Sequence, residues 1–234
     1  ALTTTSAYAQ NNGGTAPVAA DYTAAGVTGI GGAGQPTVAQ INAALADADV
    51  IGTAADSTAE VQGIVDAYQA ILGNADGTAN NATSPSAADY TKLGVTGIDT
   101  AAELGLLGDV IDGKTAADVA TPAQIQALAD AAAATVAYDG TNTAPTQAQL
   151  EALGVTGLTA DNLAAVLAAI DAANSDGTPI ASLADLQGVA ATATGGAAAA
   201  LTTTSAYAQN NGGTAPVPAA YTAAGVTGIG AAAQ

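Results

Sequence analysis

At 234 residues the chain has room for one medium domain or several small ones, and two lysines against twenty acidic residues give it a net charge of -18. That balance repels nucleic-acid phosphate and anionic lipid, so neither is an expected partner. With no Cys and no His there is no disulfide, thiol nucleophile, imidazole base or zinc site to build, and a 49% hydrophobic content lacking Phe, Trp and Met predicts a thin, close-packed core.

The chain repeats itself. Residues 1–35 read ALTTTSAYAQNNGGTAPVAADYTAAGVTGIGGAGQ, and residues 200–234 repeat them with four differences in 35: Ala19/Pro218, Asp21/Ala220, Gly32/Ala231 and Gly34/Ala233. The period is 199 residues. A finer repeat lies inside it. The phrase Tyr-Thr-Ala-Ala-Gly-Val-Thr-Gly-Ile begins at Tyr22 and Tyr221, with variants at Tyr90 and Leu150. The first glycines of its GVTG, at Gly26, Gly94, Gly154 and Gly225, are spaced 68, 60 and 71 residues apart. Pro17, Pro85, Pro145 and Pro216 precede the four phrases. The expected organisation is the end of a preceding unit (1–16), three repeat units (17–84, 85–144 and 145–215) and the start of a next one (216–234).

Each unit carries signatures for three helix starts. The first helix follows the proline: Ser86-x-x-Asp89 and Thr146-x-x-Gln149 read as capping boxes, and Pro218 suits a first helical position. It is short and predicted to end at the GVTG glycine, capped in a left-handed conformation with the following valine packed back. The second opens at Thr37-x-x-Gln40, Thr100-x-x-Glu103 and the weaker Thr159-x-x-Asn162. Its apolar stripe is Ile41, Ala44 and Leu45 in the first unit, and Leu163, Val166, Leu167 and Ile170 in the third. The third opens at Ser57-x-x-Glu60, Thr121-Pro122-x-Gln124 and Ser182-x-x-Asp185. Inside it Gln62, Gln126 and Gln187 recur at one equivalent place, either as exposed helix formers or as hydrogen bonds to a neighbouring unit's backbone. The predicted fold is all-α, a tandem array of small three-helix units, three per 199-residue period, joined by Gly/Asn/Thr/Pro loops. A β-sandwich is disfavoured because apolar residues almost nowhere alternate for more than four positions.

Chemistry-bearing patterns are few. The Asp-Gly loops Asn74-Ala-Asp76-Gly77-Thr78, Asp139-Gly140-Thr141-Asn142 and Asn174-Ser-Asp176-Gly177-Thr178 are the calcium candidates, through Asp76, Asp139 and Asp176, and none completes a twelve-residue calcium loop. Their plainer reading is turn chemistry. Asp47, Asp49 and Asp56, and Asp109 with Asp112, read as solvated carboxylates, not a hydrolytic pair. The tyrosines at repeat positions read as packing residues, and Asn11–Gly14 lacks the lysine and preceding strand of a phosphate loop. No stretch is apolar enough for a transmembrane helix. A first residue of Ala and no leader-like segment lead to the expectation of a mature or excised piece.

All acidic residues fall between Asp21 and Asp185, so residues 186–234 are free of charge. Copies carrying -18 each repel, and contacts between them are expected where carboxylates are missing. The expected self-association residues are Thr203, Thr204, Ser205, Tyr207, Gln209 and Asn210. The alternative is a neutral linker through Gly195-Gly196 and Gly212-Gly213.

The GVTGI/GVTGL phrase, the NLAAVLAAI run after it at residues 162–170 and the Ala/Thr/Asp/Gly composition resemble the tandem repeats of very large bacterial surface proteins, adhesin-like and biofilm-matrix-like. The resemblance covers all three units and implies secretion, a cell-surface or extracellular place, and a stalk, sheath or fibre. The chain is therefore expected to be a structural repeat protein whose partner is itself, with no catalytic role and no cofactor. The alternative is an adhesin module binding calcium, glycan or ice.

Overall fold

A computed structural model of the chain describes residues 2–11, 14–79, 84–176, 180–210, 215–224 and 226. Regular structure among them is all helical, with no strand. In chain order the helices are α1 (Leu2–Asn11), α2 (Ala19–Ala24), α3 (Val38–Leu45), α4 (Thr58–Asn74), α5 (Ala87–Lys92), α6 (Ala101–Asp112), α7 (Pro122–Val136), α8 (Gln147–Ala152), α9 (Leu163–Ser175), α10 (Leu183–Asn210) and α11 (Pro218–Ala223). A 3₁₀ turn, Gly52–Ala54, lies between α3 and α4. The chain forms two compact parts, Ala1–Asp130 and Ala131–Gln234, the division falling within α7.

Most helix starts are held by the side chains that the sequence marks for them. Thr37 Oγ1 accepts from the Gln40 N–H at 3.2 Å while Gln40 Oε1 accepts from the Thr37 N–H at 2.8 Å, a closed capping box on α3. Ser57 with Glu60, Thr100 with Glu103 and Thr146 with Gln149 close the same box on α4, α6 and α8. At α5 the traffic is one-way, with the Ser86 N–H and hydroxyl both donating to Asp89. One expectation is displaced: Thr159 and Asn162 bond reciprocally, but they close a turn one step ahead, and α9 begins at Leu163.

The six-residue helices α2, α5 and α8 end alike. Gly26, Gly94 and Gly154 stand at φ 78°, 82° and 99°, the left-handed region that a side chain resists. The Val27, Val95 and Val155 N–H groups reach back to Tyr22, Tyr90 and Leu150 C=O at 3.0–3.1 Å. The glycine N–H groups donate to Thr23, Thr91 and Glu151 C=O, which completes a Schellman cap. The valines are 5%, 2% and 3% exposed, so each cap is also an apolar contact. Gly225 lies outside the described residues.

The recurring glutamines hold these turns. Gln62 accepts from the Thr28 N–H at 2.9 Å and donates to Thr28 C=O at 3.2 Å, and Gln126 does the same for Thr96 at 2.9 and 3.1 Å. Gln187 donates to Gly154 C=O at 3.3 Å. The partner is thus the GVTG turn nearest in sequence, not the backbone of a neighbouring unit. One planar amide offers a donor and an acceptor side by side, which matches the N–H and C=O of one extended residue.

In the first part the core is assembled from Ile41, Leu45, Val61, Ile64, Val65, Ile71, Leu106, Leu107, Val110 and Ile111, at helical spacings. Three tyrosines fill the space that Phe or Trp would otherwise occupy: Tyr22, Tyr68 and Tyr90 are at most 1% exposed. Burial pushes all three phenols above the usual tyrosine range. Tyr22 Oη donates to Asn42 Oδ1, whose amide donates onward to Pro17 C=O at 2.9 Å. Tyr68 Oη donates to Val119 C=O at 3.1 Å. The Tyr90 hydroxyl is buried with no hydrogen-bond partner. In the second part Leu150, Leu153, Val166, Ile170, Ile180 and Leu186 are buried, while Leu163 and Leu167 are half-buried.

Removing the Gln126 amide should lower stability. Gln126→Ala loses both bonds to Thr96 and should cost about 1 kcal/mol. Gln126→Glu should cost more, because its carboxylate replaces an amide that donates to Asp130 at 2.6 Å. Urea unfolding midpoints of the two variants check the order.

The tyrosines should divide by partner. Tyr90→Phe removes an unpaired buried hydroxyl and should leave the melting temperature unchanged or raise it. Tyr22→Phe leaves the Asn42 carbonyl without its donor and should destabilise by about 1 kcal/mol. Thermal melts of the pair decide it.

Candidate self-association surface

Helix α10 runs 28 residues, begun by the Ser182 and Asp185 pair, where the Asp185 N–H donates to Ser182 Oγ at 3.1 Å. Alanine dominates its middle and carries it through Gly195-Gly196, so these glycines are interior to a helix and not a linker. Gly212-Gly213 lies outside the described residues. Leu186, Ala190, Ala197 and Ala200 are its buried positions. Helix α11 packs against α10, and Ala193, Gly196 and Ala197 line a shallow groove of about 550 Å³ together with Ala165, Ala168 and Ala169 of α9 and Ala219, Thr222 and Ala223 of α11.

The expected contact residues sit on the last turns of α10. Thr203, Ser205, Tyr207 and Gln209 are exposed and Thr204 is half-buried; the Asn210 side chain lies outside the described residues. Their polar atoms are partly engaged within the helix. Thr203 Oγ1 donates to Ala199 C=O at 3.0 Å, Thr204 Oγ1 to Leu201 C=O at 3.0 Å, and the Gln209 amide to Ser205 Oγ at 3.2 Å. The six do not form one face. Thr203 and Tyr207 share one side by their spacing of four, and Ser205 and Gln209 share another. Leu201 and Tyr207 remain 42% and 37% exposed.

The first copy of the same text sits differently. In α1 Thr5 is fully buried and Ala9 is 6% exposed. Thr5 Oγ1 donates to Leu2 C=O at 2.9 Å and to Ala55 C=O at 3.1 Å, and Ser6 Oγ donates to Gly52 C=O at 3.0 Å. Identical residues are thus seated in one copy and uncovered in the other.

Two of the acidic candidates, Asp139 and Asp76, accept from backbone N–H groups of their own turns. Asp139 Oδ1 accepts from the Thr141 N–H at 2.9 Å, the Thr141 hydroxyl at 2.8 Å and the Asn142 N–H at 3.1 Å. Asp76 Oδ1 accepts from the Thr78 N–H at 2.8 Å. Asp176 stands just past the end of α9. Two asparagines that the sequence reading folded into these turns face inward instead. Asn74, 2% exposed, donates to Gly108 C=O at 3.0 Å, and Asn174 donates to Thr135 and Tyr138 C=O, both at 2.9 Å. Their position at the close of a long apolar-striped helix was the available signal. Asp47 Oδ1 accepts from the Asp49 N–H at 3.1 Å, and hydrogen bonding with Glu60, then its charge, raises the Asp56 carboxyl above its ordinary value. Among the described residues no three His, Cys, Asp or Glu side chains gather as a metal site, and no helix is long and apolar enough to cross a membrane.

Comparison with protein-family models, with characterised proteins and with solved structures finds no match.

The Thr141 N–H, the Thr141 hydroxyl and the Asn142 N–H hold the Asp139 carboxyl below its ordinary value. A depressed folded value contributes stability that is present above the ordinary carboxylate range and is lost as pH falls through the folded value. Thr141→Val removes one of the three donors and should move the Asp139 titration upward, though not fully to its ordinary value. A carboxylate-resolved NMR titration of both chains reads the difference.

Proposed function

We propose that the chain is a structural repeat segment, part of a stalk, sheath or filament, made of small three-helix units stacked in tandem, three per 199-residue period. In this reading it is a non-catalytic protein without a cofactor, and its partner is itself. One observation carries the proposal: the same joint recurs at Gly26, Gly94 and Gly154, on a chain that restates its own opening text 199 residues later. Each joint combines a six-residue helix, a left-handed glycine and a buried valine, with a glutamine from a later helix bonded to the turn. A repeated joint repeats its local geometry, and repeated geometry builds an elongated object whose stability is shared between neighbours. Small side chains favour this reading too, since a single unit of this composition buries little apolar surface alone.

An extracellular, bacterial cell-surface setting follows from the resemblance to giant surface-protein repeats. The charge agrees with it: at -18, with Lys92 and Lys114 the only basic residues, the chain offers little to nucleic acid and few sites to a trypsin-like protease.

Electron micrographs of the purified chain, and of two periods joined in tandem, test the proposal. Elongated particles that lengthen with the second period are expected; compact particles of unchanged aspect would overturn it. A melting temperature that climbs by many degrees with added calcium would instead favour a calcium-dependent adhesin module.

A further inference from the structure

The three joints are not equal, and the difference lies one helical turn beyond the recurring glutamine. In the first two, the glutamine amide is held from both sides. Gln62 donates to Asp66 Oδ1 at 2.8 Å while it pairs with the N–H and C=O of Thr28. Gln126 donates to Asp130 Oδ1 at 2.6 Å while it pairs with Thr96. The aspartate four residues on anchors the amide, so its plane is fixed where it meets the turn.

In the third joint Ala191 stands in the aspartate's place. Without that anchor Gln187 donates to Gly154 C=O at 3.3 Å, and not to Thr156, the equivalent of Thr28 and Thr96. The Thr156 N–H and C=O have no hydrogen-bond partner among the described residues. Beside them opens a pocket of about 420 Å³ whose lining includes Thr156, Gln187, Ala190, Ala191 and Thr194. All these groups belong to one compact part, Ala131–Gln234. Access to the turn is a property of the joint, since Thr28 and Thr96 are exposed just as Thr156 is.

We propose that the third joint is a binding site for a primary carboxamide that the chain does not itself supply. The first two joints display the recognition chemistry already occupied. A primary amide carries its C=O and one N–H on the same edge, so it accepts from the threonine N–H and donates to the threonine C=O at once. A trans secondary amide points those two groups in opposite directions and meets only one. A carboxylate accepts but does not donate, and it also meets the repulsion of a chain at -18. The ligand class is therefore a short aliphatic primary amide, the chemistry of a glutamine or asparagine side chain. Its aliphatic part has the methyl groups of Ala190 and Ala191 to rest on.

Amide-resolved NMR of the full chain titrated with propionamide tests this. The Thr156 N–H should shift, while those of Thr28 and Thr96, already paired within the chain, should stay in place. N-methylpropionamide should bind at least about fivefold more weakly, the worth of one hydrogen bond. Ala191→Asp, at an exposed helical position, restores the anchor and should return Gln187 to Thr156. The Thr156 N–H should then exchange with solvent more slowly than in the parent chain, and its response to propionamide should fall at least about fivefold. A capped Gly-Gln-Gly peptide ended as the N-methylamide separates the sources. Binding as tight as that of propionamide supports a protein side chain as the ligand, and binding of propionamide alone supports a free amide. A Thr156 N–H that ignores propionamide, moves equally with the methylated amide, or responds undiminished in Ala191→Asp overturns the site. Particle shape in micrographs is independent of this site, so the filament reading stands or falls separately.

Discussion

The structure depends on how a chain of small side chains fixes its turns. An ordinary domain locks a loop under large aromatic and aliphatic groups, but this one has no Phe, Trp or Met. It uses polar geometry instead. A left-handed glycine ends a short helix at φ 78–99°, the next valine drops into the core, and a glutamine two helices later bonds the turn. The amide spans N–H and C=O of a single residue at Thr28 and Thr96, so it fixes the turn's position and its orientation together. Each such bond is worth about 1 kcal/mol, which counts heavily where the apolar core is thin.

The same economy explains how twenty carboxylates coexist with two lysines. Lys92 meets Asp89 at 3.6 Å, and several other carboxylates meet backbone N–H groups at helix starts and turns. Glu60 caps α4, Glu103 caps α6, and Asp118 accepts from the Thr115 hydroxyl and N–H. These bonds hold Glu60 and Asp118 below the ordinary carboxylate range. At Asp89 burial pushes the carboxyl up, and the Ser86 hydroxyl and N–H with Lys92 outweigh it. Acidity is therefore structural here.

The charge-free repeated text is seated in one copy and uncovered in the other. In the first part it is packed, with threonine and serine hydroxyls bonded to another element's carbonyls. In the second part the same hydroxyl pattern folds back on its own helix and faces solvent. Nothing in the local sequence distinguishes the two. What differs is whether Gly52–Ala55, or an equivalent, stands opposite.

The sequence by itself determined the local devices: an all-helical chain, capping boxes at Thr37, Ser57, Thr100 and Thr146, glycine caps at Gly26, Gly94 and Gly154, and a buried valine after each. These depend on neighbours within six residues, so their signals are contiguous in the text. Tertiary structure alone decided which way the longer-range polar groups point. The partner of Gln126 is Thr96, 30 residues away, and the partner of Asn74 is Gly108, 34 residues away. Neither pairing leaves a mark on local spacing. Likewise Asn74 and Asn174 read as turn residues until the packing of their helices turned them inward, and Thr159–Asn162 read as a helix start until α9 began at Leu163. The clearest case is the repeated text itself. Its letters settle its helix, because alanine and the threonine hydroxyl bonds act within one turn, but only what packs against it decides whether that helix is buried.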